Sequence, residues 1–238
     1  MVVNGAVIVA AGKGERMGGV DKAFVLLGRL PLFAHSLMAA MRCPDVDAIA
    51  LVVRNGLEDD ARRAIAALGP QGLPEKPVAV ATGGDTRQDS VLAGLRALPK
   101  TTEFAAIHDA ARPFATPELF SLCFAGARAF GSGVAARRAS DTVKEAGPDG
   151  AVARTLDRSR IWLAETPQVF RRDALVAAIE AAEAAGECLP DDAAAIERAG
   201  GAVRLVEWSE PNPKITVRGD LEVAEALLAA REGGRPNG

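Results

Sequence analysis

Apolar residues fall along the chain in short unbroken runs, separated by longer stretches with helical spacing. Val7-Ile8-Val9-Ala10 is the first run and Ala48-Ile49-Ala50-Leu51-Val52-Val53 the second; Val78-Ala79-Val80-Ala81 and Phe104-Ala105-Ala106-Ile107 follow. Short runs without polar alternation predict strands buried on both faces. Between and after them, Pro31 to Met41, Leu57 to Leu68, Gln88 to Leu98 and Pro117 to Phe130 predict helices. Pro31 stands early in its helix, where a missing N–H costs little. Gly69-Pro70-Gln71-Gly72-Leu73-Pro74 stops the second helix. Strands alternating with helices predict right-handed crossovers and a single α/β domain, Rossmann-like, with a mostly parallel sheet flanked by helices.

From Gly133 the alternation falters. Val134 to Ala136 predicts one more strand. Asp141 to Glu145 and Val152 to Leu156 are short extended segments around Ala146-Gly147-Pro148-Asp149-Gly150, which reads as a β-hairpin. A hairpin interrupting such a domain either covers an edge or reaches a partner chain, so an arm is expected over about 139–160. Arg171 to Ala185 and Asp191 to Ala199 predict two helices, Val203 to Val206 a late strand, and Asp220 to Arg231 a last helix. The domain is expected to occupy 1–231, with a flexible tail over 232–238 rich in Gly, Pro and Asn.

Composition narrows the function. The chain has 238 residues, 49% hydrophobic and 25% charged, which suits a globular enzyme with one substantial core. A net charge of −3 gives no footprint for nucleic acid or an anionic membrane. No apolar run approaches a membrane span, and the first residues lack the basic and apolar regions of a signal peptide. Three scattered cysteines and two histidines offer no metal spacing and suit a cytoplasmic enzyme.

The candidate chemistry gathers where the strands end, where open α/β sheets bind ligands. Ala10-Ala11-Gly12-Lys13-Gly14-Glu15-Arg16-Met17-Gly18-Gly19-Val20-Asp21-Lys22 follows strand one. Glycines let a backbone approach phosphates and aim its N–H groups at them, and Arg16 and Lys22 can neutralise a triphosphate. It is not a P-loop, because Val20 and Asp21 follow Gly19, and not a dinucleotide fingerprint, because Met17 takes the third glycine position. Strand three ends in Gly83-Gly84-Asp85-Thr86-Arg87-Gln88-Asp89-Ser90, which serves a base or ribose, or equally a capped helix start. Strand four ends in His108-Asp109-Ala110-Ala111-Arg112-Pro113. Asp109 there could hold Mg²⁺ or a substrate hydroxyl and Arg112 a phosphate, or the two could pair with each other. His108 reads as a packed, hydrogen-bonded residue. Asp191-Asp192 invites a metal reading that a helix start explains as well. No serine or cysteine has the setting of a nucleophile.

Seven segments in one order carry a resemblance. They are Ala-Ala-Gly-Lys-Gly-Glu-Arg-Met, Gly83-Gly84-Asp85-x-Arg87-Gln88-x-Ser90-Val91, His108 to Phe114, Asp141 to Lys144, Thr155 to Arg158, Thr166-Pro167-Gln168-x-Phe170 and Asn212-x-Lys214-Ile215-Thr216. From about Ala6 to Leu228 the chain resembles the 2-C-methyl-D-erythritol 4-phosphate cytidylyltransferases of the non-mevalonate isoprenoid pathway. The resemblance implies a nucleotide-diphospho-sugar-transferase-like fold with a projecting β-arm that hooks a second subunit into a homodimer. It implies transfer of cytidylyl from CTP to a polyol phosphate, with Mg²⁺ travelling on the triphosphate near Asp109. The cations matching Arg16 and Lys22 would stabilise the transition state. Ala10, Ala11, Gly12, Gly84, Asp85, Ser90, Asp109 and Ala110 match residues that hold CTP. Asp109, Arg112, Thr142, Arg158, Thr166 and Lys214 match residues that hold the polyol phosphate; Arg158 and Lys214 position it, the former from the neighbouring subunit.

The chain also departs from the pattern. Asp21-Lys22-Ala23-Phe24 replaces the frequent Pro-Lys-Gln-Tyr, Glu165 stands where Gln is common, and Pro190 stands where a substrate-binding Thr is usual. Proline has no donor, so that contact is not carried over. Ribitol 5-phosphate cytidylyltransferase and a non-catalytic nucleotide-binding regulator are the rival readings. Retention of both Arg16 and Lys22 argues against the second.

Overall fold

The computed structural model describes residues 3–12, 21–69 and 73–233. Its strands in chain order are β1 (Val3–Ala10), β2 (Leu26–Leu27), β3 (Leu30–Pro31), β4 (Ala48–Val53), β5 (Val78–Thr82), β6 (Thr102–Asp109), β7 (Ser132–Arg138), β8 (Lys144–Ala146), β9 (Val152–Thr155), β10 (Trp162–Arg171) and β11 (Leu205–Glu207). Its helices are α1 (Leu32–Arg42), α2 (Glu58–Ala67), α3 (Arg87–Ala97), α4 (Pro117–Phe130), α5 (Arg172–Ala184), α6 (Asp192–Arg198) and α7 (Arg218–Gly233).

Seven strands form the main sheet in the order β11-β7-β10-β6-β1-β4-β5. β1 pairs in parallel with β4 and β6, β4 with β5, and β7 with β11, whereas β10 is antiparallel to both its neighbours. The apolar runs are explained by two-sided burial. On β1, Ala6, Ile8 and Ala10 enter one core with Phe33 and Leu37 of α1 and Phe120 and Phe124 of α4. Val7 enters the other with Val91, Leu92 and Leu95 of α3 and Leu175 and Ile179 of α5. β4 divides the same way, Ile49, Leu51 and Val53 on one face and Ala48, Ala50 and Val52 on the other. A third, small cluster joins Leu27, Leu32, Phe114 and Ile215 to Ala224 of α7.

The expected mostly parallel architecture is found, with four instructive differences. The first strand starts at Val3 rather than Val7, and the fourth runs through His108 and Asp109 rather than stopping at Ile107, so both polar residues are strand residues. The last helix begins at Arg218 and reaches Gly233, two residues into the expected tail. β10, ten residues long, gave no strand signal. It contains Glu165, Thr166, Pro167 and Gln168, all buried, and buried polar residues with partners erase the hydropathy pattern that marks a strand. Its pairing with β7 shifts register between Ala164 and Gln168, where the Thr166–Pro167 peptide is cis.

The hairpin is present as β8–β9, with Lys144 opposite Thr155 and Glu145 opposite Arg154. Every residue of both strands is exposed. Its turn closes through the Gly150 N–H to the Gly147 carbonyl at 3.0 Å.

The order of strands locates the site. The chain moves outward from β1 through β4 to β5, then returns to β6 on the other side of β1. Connections therefore leave β1 and β6 in opposite directions and open a crevice between their carboxyl ends.

Close packing of α3 on the sheet beneath this crevice is testable. A β-carbon at Gly94 would lie 2.8 Å from Val52 Cγ2 and closer still to Val7. Ala gains about 1 kcal/mol over Gly in a helix, but overpacking of a core costs about 1–3 kcal/mol. Gly94→Ala is expected to lower the urea midpoint of unfolding; a raised midpoint would show that α3 is not held so tightly.

Candidate active site

A cleft of about 990 Å³ opens at the crevice. Ala10, Ala11 and Gly12 line it from β1, Asp109 and Ala110 from β6, and Gly83, Gly84, Asp85 and Ser90 from the turn after β5. Lys22 and Lys214 enter from two later segments. Among the described residues, a β-carbon at Gly12 would meet no atom within 4 Å. Gly83 and Gly84 are different: a β-carbon at Gly83 would sit 2.7 Å from Ser90 Oγ and closer to Ala11, and one at Gly84 within 3.0 Å of the Asp89 carboxyl. Glycine is required there because the turn lies directly on α3 and the β1 end.

The turn after β5 also resolves its two readings. The cap of α3 is Thr86, whose hydroxyl accepts from Asp89 N–H at 3.0 Å while Asp89 accepts from Thr86 N–H at 2.8 Å. Asp85 is left out of the capping box and stands exposed on the cleft wall. The buried Ser90 hydroxyl donates to the Thr86 carbonyl at 3.0 Å.

Asp109 stands on the wall between this cleft and a second cavity of about 370 Å³. Arg112, Glu165, Thr166, Pro190 and Asp191 line the smaller one, and Arg87, Asp109 and Lys214 line both. Lys214 Nζ donates to Asp109 Oδ2 at 2.6 Å, and Arg87 approaches Oδ1 through Nε and Nη2 at 3.4 and 3.3 Å. Arg87 is held from behind by Asp192, through Nη1 to Oδ1 at 3.0 Å and Nη2 to Oδ2 at 2.7 Å. Burial opposes the charge on Asp109, yet Arg87 and Lys214 outweigh it and hold the carboxyl well below the usual range. For Asp192 burial dominates and pushes the pKa up, against the pull of Arg87.

Asp109 therefore does not pair with Arg112. Arg112 Nη1 instead donates to the Asn212 carbonyl at 2.8 Å and lies 4.0 Å from Glu165 Oε2. Glu165, 6% exposed, also accepts from Arg137 Nε at 3.1 Å and Asn212 Nδ2 at 3.0 Å. Asn212 in turn belongs to the segment that delivers Lys214. The Glu165 carboxylate thus ties Arg112 to the Lys214 loop.

Behind Asp109 runs a fully directed hydrogen-bond chain. His108 Nε2 faces the Arg112 carbonyl at 3.1 Å, an acceptor only, so that nitrogen carries the proton. Nδ1 is then bare and accepts from the Thr166 hydroxyl at 2.9 Å, and Thr166 Oγ1 accepts from Asp109 N–H at 3.1 Å. Burial lowers the His108 pKa to about 4, so the ring is neutral. His108 is a packed scaffold residue, as the sequence suggested, and Thr166 braces the Asp109 backbone.

Asp191 caps α6 by accepting from Ala194 N–H at 2.9 Å, and also accepts from Gln168 Nε2 at 2.9 Å. Among the described residues no group of three or more His, Cys, Asp or Glu side chains is placed to hold a metal. A hard cation here would draw most of its ligands from bound phosphates, a donor set that suits Mg²⁺, with Asp109 a protein carboxylate on the cleft wall that could join it.

Lys22 sits in a short 3₁₀ turn, Lys22–Phe24, and its Nζ donates to the Ile215 carbonyl at 2.7 Å. Arg16 lies outside the described residues. Thr142 and Arg158 lie on the exposed arm and line neither cavity; Arg158 Nη1 donates to the Ser140 carbonyl at 2.8 Å. Of the expected residues, then, the fold gathers Ala10, Ala11, Gly12, Lys22, Gly84, Asp85, Ser90, Asp109, Ala110 and Lys214 around the larger cleft. It sets Arg112 and Thr166 in the smaller cavity. The pairing of Arg87 with Asp192, the role of Glu165 as a hub and the place of Arg54 on the cleft wall were not legible beforehand, because residues distant in sequence give no spacing signal.

The sequence model of the 2-C-methyl-D-erythritol 4-phosphate cytidylyltransferase family matches residues 4–230. The chain is 40% identical over 229 residues to the 2-C-methyl-D-erythritol 4-phosphate cytidylyltransferase of Pelotomaculum thermopropionicum, covering 96% of this chain and 95% of that protein. It is 42% identical over 224 residues to the bifunctional IspD/IspF enzyme of Desulforudis audaxviator, covering 94% of this chain and 56% of the longer one. In three dimensions it matches 4-diphosphocytidyl-2C-methyl-D-erythritol synthase from Anaerococcus prevotii with a TM-score of 0.85 and 28% identity, over 95% and 96% of the two chains. The cytidylyltransferase of Thermus thermophilus gives 0.75 and 30%, over 96% and 100%.

The neutral His108 predicts a pH dependence. Its folded pKa lies below the unfolded value of 6.5, so its contribution is fully present above pH 6.5 and is lost as pH falls toward 4. Over that window the loss amounts to about 3 kcal/mol. In urea unfolding, His108→Gln is expected to lose stability less steeply than the parent between pH 6.5 and 4.5, by up to one proton. Parallel pH curves would place the titration elsewhere.

Proposed function

The chain belongs to the 2-C-methyl-D-erythritol 4-phosphate cytidylyltransferase family, and on that premise we propose how its two cavities divide the work. The family converts CTP and 2-C-methyl-D-erythritol 4-phosphate to 4-diphosphocytidyl-2-C-methyl-D-erythritol and pyrophosphate, and this chain is a nucleotidyltransferase of that kind. CTP lies in the larger cleft, with its base and ribose at Gly84, Asp85 and Ser90 and its phosphates toward Gly12 and Lys22. The polyol phosphate lies in the smaller cavity between Arg112 and Lys214. One observation carries this reading: Asp109, with Arg87 and Lys214, stands on the wall the two cavities share.

A phosphate oxygen of the polyol phosphate attacks the α-phosphorus in line, and pyrophosphate departs. Such chemistry relies on positioning and on donors aimed at the growing charge. Lys22 and Arg16 supply those donors. Lys214, fixed by Asp109, lies between the two ligands and lines up the attacking phosphate. Mg²⁺, if carried in on the triphosphate, would neutralise charge on the phosphate oxygens, and Asp109 would be the carboxylate that holds it.

The arm supports a homodimer. β8–β9 buries none of its residues in the single chain, and an isolated hairpin is at best marginally stable in water. Val152 on it is 59% exposed and Leu163 at its base 39% exposed. A second copy that covers the arm would receive Thr142 and Arg158 at its own polyol-phosphate cavity.

Four outcomes are expected. Pyrophosphate release should require CTP and methylerythritol 4-phosphate, with ATP, GTP, UTP and ribitol 5-phosphate poor replacements; a preference for ribitol 5-phosphate would move the chain to the rival transferase. Lys22→Met and Arg16→Met should each lower kcat by about 10²–10³ in folded protein, whereas near-normal kcat would remove them from the transition state. Excess EDTA should stop turnover and Mg²⁺ restore it, with no tight Mg²⁺ binding by calorimetry without nucleotide. Mixed and exchanged Lys22→Met and Arg158→Ala subunits should regain activity through one intact site per heterodimer. No recovery despite exchange would return Arg158 to its own subunit, and a monomer by sedimentation would end the dimer.

A further inference from the structure

Asp21 stands directly before Lys22, and the structure shows what its carboxylate does. Asp21 is the N-cap of the turn that carries Lys22, and its Oδ1 accepts from Ala23 N–H at 3.1 Å. The residue is 9% exposed, and its Oδ2 is buried with no hydrogen bond among the described residues. Arg54 Nε approaches that Oδ2 at 3.4 Å. Arg54 follows β4 directly and lines the larger cleft beside Asn55, Lys22 and Gly12.

A carboxylate buried at the edge of a triphosphate site is costly by itself. It is desolvated and it repels the ligand. Burial does push Asp21 upward, against the Ala23 N–H and Arg54. A structural pair alone would close that balance by spending the guanidinium on the carboxylate. Here the contact is made through Nε and is long, and no hydrogen bond from either Nη is found among the described residues. The fork that suits phosphate oxygens remains on a side chain 41% exposed in the cleft wall.

We propose that Arg54 is a phosphate-binding residue of this chain that grips the β,γ-phosphates of CTP, the part that leaves as pyrophosphate, and that Asp21 is its positioning residue. One carboxylate then serves two cations: Oδ1 caps the turn that presents Lys22, and Oδ2 orients Arg54. The assignment rests on the cleft being the CTP site.

Calorimetry with CTP and with CMP, each with Mg²⁺ and without the second substrate, separates the possibilities. Arg54→Met should weaken CTP binding about tenfold or more, the loss expected for one charge-assisted phosphate contact. CMP, which lacks the β,γ-phosphates, should change less than twofold, and Arg54→Lys should recover part of the CTP affinity. In the forward reaction the KM for CTP should rise while that for the polyol phosphate stays within twofold. Asp21→Ala should lower kcat as well, and Asp21→Asn, which keeps the cap and loses the charge, should restore kcat while leaving CTP binding weakened. Unchanged CTP affinity in a folded Arg54→Met, or equal losses for CTP and CMP, would overturn the proposal and leave a structural ion pair. Parent protein that binds ATP and GTP as tightly as CTP would instead overturn the reading of the cleft.

Discussion

The charge on Asp109 is the constraint around which the site is built. A carboxylate at the end of a central strand, 8% exposed, survives in its ionised form only with cations supplied from elsewhere. Arg87 comes from the start of α3, Lys214 from the loop before α7, and Arg87 is itself anchored by Asp192 at the start of α6. Four parts of the chain thus meet at one carboxylate. Removing Arg87 would leave Asp192, whose side chain is 2% exposed, without a cation, and breaking such a buried pair costs more than the pair gains. That stringency makes the arrangement a rigid reference point on the wall the two cavities share.

The support behind this point is neutral by design. His108 adjoins a charged site, yet its ring is buried and both nitrogens are committed, one as donor to Arg112 O and one as acceptor from Thr166. Protonating it would reverse the bond to Thr166, making the hydroxyl that holds the Asp109 backbone an acceptor twice over and placing a charge in a buried ring. A histidine in this setting fixes geometry and leaves the chemistry to groups that stay cationic at neutral pH. The same economy appears at Glu165, which spends its negative charge on Arg112, Arg137 and Asn212 and so links the smaller cavity to the Lys214 loop.

The site is also asymmetric in rigidity and reach. The wall around Asp109 is locked by buried polar contacts, whereas Thr142 and Arg158 are carried on an arm whose strands bury nothing in one chain.

Much of this was legible in the sequence. The buried strands announced themselves, because two-sided burial needs continuous apolar residues, and β4 was found with its expected bounds, Ala48–Val53. Glycine turns after Ala10 and Thr82 marked the ligand side, because close backbone approach excludes side chains. β10 was hidden, because its interior is Glu165, Thr166, Pro167 and Gln168, whose burial depends on partners that no local pattern reveals. The partner of Asp109 was hidden for the same reason: Arg112 is three residues away, yet the strand geometry turns it toward Asn212, and the cations that meet Asp109 come from 22 residues before it and 105 after. Sequence fixes which residue types are available and which segments bury themselves; only the tertiary structure decides which distant charges meet, because that depends on strand order and not on spacing.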